Sequence, residues 1–111
     1  MLNSFTFEGN LGDNATTTEF SNSTVTKFDM CSTNKWTDKE NEVKEESVWM
    51  RCELWNAKKY QVEQLTKGAR VIVLDATLKD ATYTNKDGVK VKDYVLRVNN
   101  YRIIATNKKE E

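Results

Sequence analysis

Val48-Trp49-Met50-Arg51-Cys52-Glu53-Leu54-Trp55 changes character at every step. Successive side chains of an extended strand point to opposite faces. Val48, Met50, Cys52 and Leu54 then share one apolar face, suited to the inside of a sheet-built core. Trp49, Arg51, Glu53 and Trp55 share the other. Two tryptophans around an arginine are more than an outer face needs for solubility. Two uses compete for them. One is packing against a helix, a loop or another subunit. The other is a stacking platform for nucleobases, with the arginine placed for the linking phosphate. Base–aromatic stacking is worth about 1–3 kcal/mol per base and tolerates any sequence, because every base has a π-face. A guanidinium can pair with phosphate or stack on a ring.

The same period of two recurs on both sides of this stretch. Phe5-Thr6-Phe7, Tyr94–Val98 and Tyr101–Ala105 alternate, and Val71-Ile72-Val73-Leu74 is an apolar run of the kind found in buried strands. Leu11-Gly12-Asp13-Asn14 breaks the first strand region, and Ser21-Asn22-Ser23 precedes a second at Thr24–Ser32. Asn85-Lys86-Asp87-Gly88 predicts a hairpin turn between Leu78–Thr84 and Val89–Val98. Asn56 to Gly68 predicts a helix, with Asn56 as N-cap, Lys67 in the last turn and Gly68 as the stop. Asp38 to Glu46 is charged throughout and reads as a long exposed loop, and 107–111 as a short frayed, disordered end. The order strand, strand, strand, helix, strand, strand is that of a mainly all-β, five-stranded OB-fold barrel over residues 1–106, with one short helix between strands three and four and a long hairpin around Asn85–Gly88. Closure of the sheet removes aggregation-prone edges. Phe5, Phe7, Phe28, Tyr94 and Tyr101 are assigned to the core or an interface, Tyr60 to packing, and Cys31 and Cys52 to buried thiols.

Composition narrows the function. The chain has 111 residues, enough for one domain, and contains no histidine and no proline. Without histidine there is no Ser-His-Asp or Cys-His nucleophile and no imidazole zinc site, and two cysteines do not complete a thiolate one. No phosphate-binding glycine loop is present. The paired carboxylates Glu40/Glu42 and Glu45/Glu46 fall in the solvated loop, where nothing raises a pKa. No enzyme activity, metal or cofactor is expected. The N-terminus carries no export signal, so reduced thiols and a cytoplasmic location are expected, with no membrane association.

The 17 basic and 17 acidic side chains cancel, which on its face argues against a nucleic-acid partner. Their distribution argues otherwise. Residues 1–34 carry one basic and four acidic groups, and residues 60–111 carry ten basic and seven acidic. A basic track can run over Lys35, Lys39, Arg51, Lys58, Lys67 and Lys79, with the acids on other faces. Trp36 and Tyr83 sit in polar segments that read as loops near lysines, and extend the platform of Trp49 and Trp55.

Phe7-Glu8-Gly9-Asn10-Leu11-Gly12, Lys35-Trp36-Thr37-Asp38-Lys39, Lys44-Glu45-Glu46-Ser47-Val48-Trp49-Met50-Arg51, Leu65-Thr66-Lys67-Gly68-Ala69-Arg70-Val71 and Lys86-Asp87-Gly88 occur in an order and spacing that resembles the bacterial and phage single-stranded DNA-binding protein family. The resemblance runs from about residue 3 to residue 105. It implies an OB fold, a homo-oligomer (a tetramer, or a dimer) and sequence-tolerant wrapping of single-stranded DNA in replication, recombination or repair. Carried over by position, the stacking residues are Trp36, Trp49, Trp55 and Tyr83, and the basic partners are Lys39, Arg51, Lys67, Lys79 and, less directly, Lys58. Lys35 is added from the local reading. Met50 replaces the family's usual histidine, at a position tied to subunit contacts, and Ala81-Thr82 replaces basic residues before the hairpin aromatic. The chain ends Lys108-Lys109-Glu110-Glu111, without the linker and acidic tip that recruit repair enzymes, so weak recruitment and a phage or mobile-element role are expected. The alternative is an OB-fold interaction module of a primosome or recombination complex, with DNA binding secondary.

Overall fold

A computed structural model describes residues 1–106. The predicted C-terminal end, 107–111, lies outside the described residues. The elements in chain order are β1 (Phe5–Leu11), β2 (Thr16–Glu19), β3 (Thr24–Thr37), β4 (Val43–Trp55), α1 (Lys59–Gln64), β5 (Arg70–Asp80), β6 (Tyr83–Thr84), β7 (Lys90–Val91) and β8 (Tyr94–Ala105). The main sheet runs β1-β5-β8-β4-β3-β2, and β1 also pairs with β3. That extra pairing closes β1, β3, β4, β8 and β5 into a barrel, with β2 added outside β3. All neighbours are antiparallel except β4 and β8, whose parallel pairing joins Cys52 to Leu96 and Glu53 to Arg97. This is the OB-fold barrel that the sequence predicts.

Closure depends on a close approach. Asn10 and Leu11 of β1 pair with Cys31 and Met30 of β3. At Gly9 the strands lie so near that a Cβ would collide with the Cys31 carbonyl, so any side chain there would push β1 away. The interior is filled by Phe28 and Met30 of β3, Cys52 and Leu54 of β4, Val71, Val73 and Ala76 of β5, and Leu96 and Val98 of β8. Leu65, just after α1, plugs one end and is 1% exposed. Its carbonyl accepts from Ala15 N at 2.9 Å, tying the helix to the β1–β2 connection.

Several local expectations are corrected. The helix is shorter than predicted and Asn56 is not its cap. Asn56 adopts φ 54, a left-handed conformation that asparagine tolerates. Its N–H donates to Thr24 O at 2.8 Å, and its Oδ1 accepts from Thr24 N at 3.0 Å. It therefore ends β4 rather than starting a helix. Lys58 occupies the cap position, with its N–H donating to Gln61 Oε1 at 2.8 Å. Gly68, the predicted stop, does take positive φ, at 84.

The expected loop Asp38–Glu46 is mostly strand. Asp38 Oδ1 accepts from the N–H groups of Glu40 and Glu42 at 2.8 and 3.0 Å, folding 38–42 into a tight turn. From there β3 and β4 stay in unbroken register from Thr37↔Val43 to Val25↔Trp55. This hairpin arm extends past the core, so both of its faces meet water and its sequence loses the apolar alternation that marks a strand. Val48 belongs to the arm and is exposed, so the interior row of β4 begins at Met50. Trp36 lies on β3, not in a loop.

Among the aromatics assigned to packing, Phe28 is buried, and Phe7 and Tyr101 pack against the core. Phe5, Tyr60 and Tyr94 are exposed, which rules out the core for Phe5 and Tyr94 and leaves the interface alternative for those two. Tyr60 lines a shallow pocket with Tyr101, whose phenol is pushed up by burial and by Tyr60. No helix among the described residues is long and apolar enough to cross a membrane.

Cys52 is fully buried, and burial, with Asp29 second, pushes its thiol up to about 12. Cys31 is half-buried on the outer face. A thiol-specific reagent at neutral pH should therefore label Cys31 quickly and Cys52 only after denaturation. Two fast-reacting thiols in the native protein would contradict a closed barrel.

Candidate nucleic-acid interface

The outer face of the β3–β4–β8 wall carries Trp49, Arg51, Trp55 and Lys35 of the predicted side chains. Trp49 and Arg51 project outward from β4 as the register requires, with Trp49 59% exposed. The far end of the Trp49 ring lies over Gly12, where an added Cβ would stand 2.6 Å from the ring. Gly12 thus keeps the β1–β2 connection low enough for the ring to lie across it. An open groove of about 500 Å³ lies on one side of this pair, lined by Gly12, Asp13, Asn14, Thr16, Lys27, Phe28 and Asp29. A second of about 380 Å³ lies on the other, lined by Asp29, Met50, Asp93 and Tyr94. Trp49 and Arg51 line both, forming the ridge between them.

Trp55 stands six positions further along the same face, about 20 Å at the rise of a strand. Its ring is partly engaged by the protein. Phe20 stacks on it at 5.9 Å between centroids and 20° between planes. The Arg97 guanidinium lies 5.6 Å from the ring centroid. Phe20 follows β2 and Arg97 lies on β8, so they approach from opposite sides of β4. Glu53 Oε1 accepts from Trp55 Nε1 at 3.1 Å and lies 3.6 Å from Arg97 Nε, locking the group together. Phe20 is 53% exposed and presents the free end of the stack.

Arg51 Nη1 donates to Asp93 Oδ2 at 2.8 Å. Asp93 also accepts from Ala81 N through its backbone carbonyl at 2.8 Å, at the root of the β6–β7 hairpin. Tyr83, on β6 two residues beyond Ala81, is exposed opposite Val91. Gly88 turns the hairpin at φ 77, and Asn85 Oδ1 accepts from Asp87 N and Val89 N at 2.9 and 3.0 Å. Asp93 thereby fastens the hairpin that carries Tyr83 to the ridge that carries Arg51.

The remaining predicted residues are dispersed. Trp36 faces Lys44 across the ladder, which puts both on the face of Glu46 and Val48, opposite that of Trp49. Lys35 shares the Trp49 face but pairs with Glu45 at 4.0 Å. Lys39 lies in the turn at the tip of the arm, and Lys58 near the Trp55 end just before α1. Lys67 donates its backbone N–H to Asn14 Oδ1 at 2.8 Å, at the rim of the larger groove. Lys79, on β5, faces Val95 of β8 and lies two residues from Thr77, which pairs with Arg97. Among the described residues, Lys39, Lys58, Lys67 and Lys79 make no ion pair.

Four residues escaped the sequence reading: Phe20, Tyr94, Asp93 and Arg97. Phe20 sits in a polar turn with no periodicity to mark it. Tyr94 has interior parity but lies at the barrel mouth, where the core has ended. Arg97 could have been found from the alternation of Tyr94–Val98; Asp93 becomes visible only through its contact with Arg51. No group of histidine, cysteine, aspartate or glutamate that could hold a metal ion is found among the described residues.

The model of the single-strand binding protein family matches residues 2–104. No curated protein matches the sequence. Among solved structures, the Plasmodium falciparum SSB in complex with ssDNA matches with a TM-score of 0.79 and 18% identity, over 94% of this chain and 96% of that one. At that identity the likeness is one of fold.

Gly12→Ala should displace the Trp49 ring while leaving the barrel intact, because the obstructed atoms are the far end of an exposed side chain. The expected result is altered tryptophan emission with a melting temperature within a few degrees of the wild type. Unchanged emission would show that the ring does not rest on Gly12.

Proposed function

This chain belongs to the single-strand binding protein family, and we propose that it holds single-stranded DNA across the β3–β4–β8 face, stacking bases on its aromatic side chains and pairing phosphates with lysine and arginine. The observation that carries this reading is the ridge of Trp49 and Arg51, exposed between two open grooves and unused by the core. Exposed aromatic rings are costly to leave in water unless a partner covers them. An unstacked base is a fitting partner, and the phosphate on either side of it is within the compass of Arg51. The Phe20–Trp55 stack and Tyr83 offer further platforms along the same strand path. Lys67 and Lys79 flank it without ion pairs, and Lys39 lies beyond it at the tip of the arm, while Trp36 faces the other side of the arm. None of these contacts reads a base edge, so binding is largely independent of sequence.

Family membership supports a role in protecting single strands during replication, recombination or repair, with no catalytic step. It also supports a cytoplasmic homo-oligomer, tetramer or dimer. Exposed Phe5 and Ile104 give apolar surface for subunit contact, although Met50 changes one position associated with it.

Titration with oligo-dT should quench tryptophan fluorescence at micromolar protein and low salt. Unchanged emission would remove the proposal. Trp49→Ala should cost about 1–3 kcal/mol of binding, the worth of one stacked base. Phe20→Ala should cost a comparable amount, because Phe20 is the exposed end of its stack. A loss below a few tenths for either ring would return it to a packing role.

A further inference from the structure

The cations of this face are interleaved with carboxylates. Arg51 is bonded to Asp93 at 2.8 Å, and Asp29 stands directly across the ladder from it. Arg97 lies 3.6 Å from Glu53, and Lys27 stands directly across from that same Glu53. The acids are therefore not segregated onto other faces. They occupy the positions beside the arginines that an incoming phosphate would take.

Building on the proposed binding of single strands, we propose that Asp93 and Glu53 are specificity determinants that favour single-stranded over double-stranded DNA. A phosphate that pairs with Arg51 must displace Asp93 or share the guanidinium with it, because Asp93 holds only Nη1, and in either case the carboxylate stays close as a like charge. A duplex keeps its bases stacked on one another and offers this surface only its backbone, so its affinity rests on free cations. A single strand also stacks its bases on Trp49 and Phe20, and that attraction does not depend on the arginines being free. The carboxylates thus weaken both modes of binding but remove a larger share of the duplex mode. Selectivity achieved by an unfavourable element against the wrong partner is a general device of specific surfaces.

The test compares oligo-dT with a duplex of equal length, using the full chain as wild type, Asp93→Asn and Glu53→Gln. Asparagine keeps the oxygen that accepts from Tyr94 N, and glutamine keeps one for Trp55 Nε1, so each variant removes charge more than shape. At about 0.1 M salt, one added phosphate contact on duplex, with its slope of about −0.9, corresponds to roughly an eightfold gain for Asp93→Asn. Oligo-dT affinity should rise threefold at most, on the order of half of one ion's release at a slope of about −0.7. Equal gains for both ligands, or none for either, would overturn the selectivity role while intact oligo-dT quenching left the binding reading standing. Failure of the wild type to bind oligo-dT would overturn both. If Asp93→Asn lowers the melting temperature, Glu53→Gln decides by the same comparison.

Discussion

Every second side chain of β4 points into the barrel from Met50 onward, and the side chains between are committed to the outside. That geometric constraint organises the molecule. Cys52 and Leu54 fill the interior, so Trp49, Arg51 and Trp55 have no place in it. The neighbours then adapt to the exposed rings. Gly12 leaves room beneath Trp49, Phe20 lies against Trp55, and Asp93 brings the β6–β7 hairpin to Arg51. The barrel is closed by the approach of β1 to β3 at Gly9, which fixes the wall on which these residues stand.

Net neutrality takes on a definite meaning on this wall. Basic and acidic groups are not sorted to different sides; they alternate across the ladder. A surface built in this way has little long-range attraction for a polyanion. On the proposed reading its attraction is short-ranged and aromatic, and so available to a strand whose bases are exposed. Of the predicted lysines, Lys39, Lys58, Lys67 and Lys79 make no ion pair among the described residues and are spread around the aromatic path, while Lys27, also without an ion pair, lines the larger groove itself.

The barrel was legible in the sequence because its strands obey a period of two wherever one face is buried. It became illegible where both faces are wet. The arm from Ser32 to Thr37 and from Val43 to Val48 carries lysine and glutamate on both sides, so its ladder register has no hydrophobic signature. Asn56 misled for a different reason: the same side chain that caps helices also tolerates positive φ, and here Thr24 captured it. Within the candidate interface, Trp49, Arg51 and Trp55 were readable from local alternation. Phe20, Asp93 and the divergence of Trp36 from the Trp49 face depend on cross-strand neighbours that linear spacing does not encode.

The most direct test of the central claim, that stacking rather than charge carries binding, is the salt dependence of oligo-dT affinity for the wild-type chain. If stacking dominates, the strand neutralises no more than about four phosphates, and at about −0.7 each the log–log slope is about −3 or shallower, with binding still measurable near 1 M salt. A slope of about −6 or steeper, with binding lost by about 0.5 M, would mean that phosphate pairing dominates and would contradict the account.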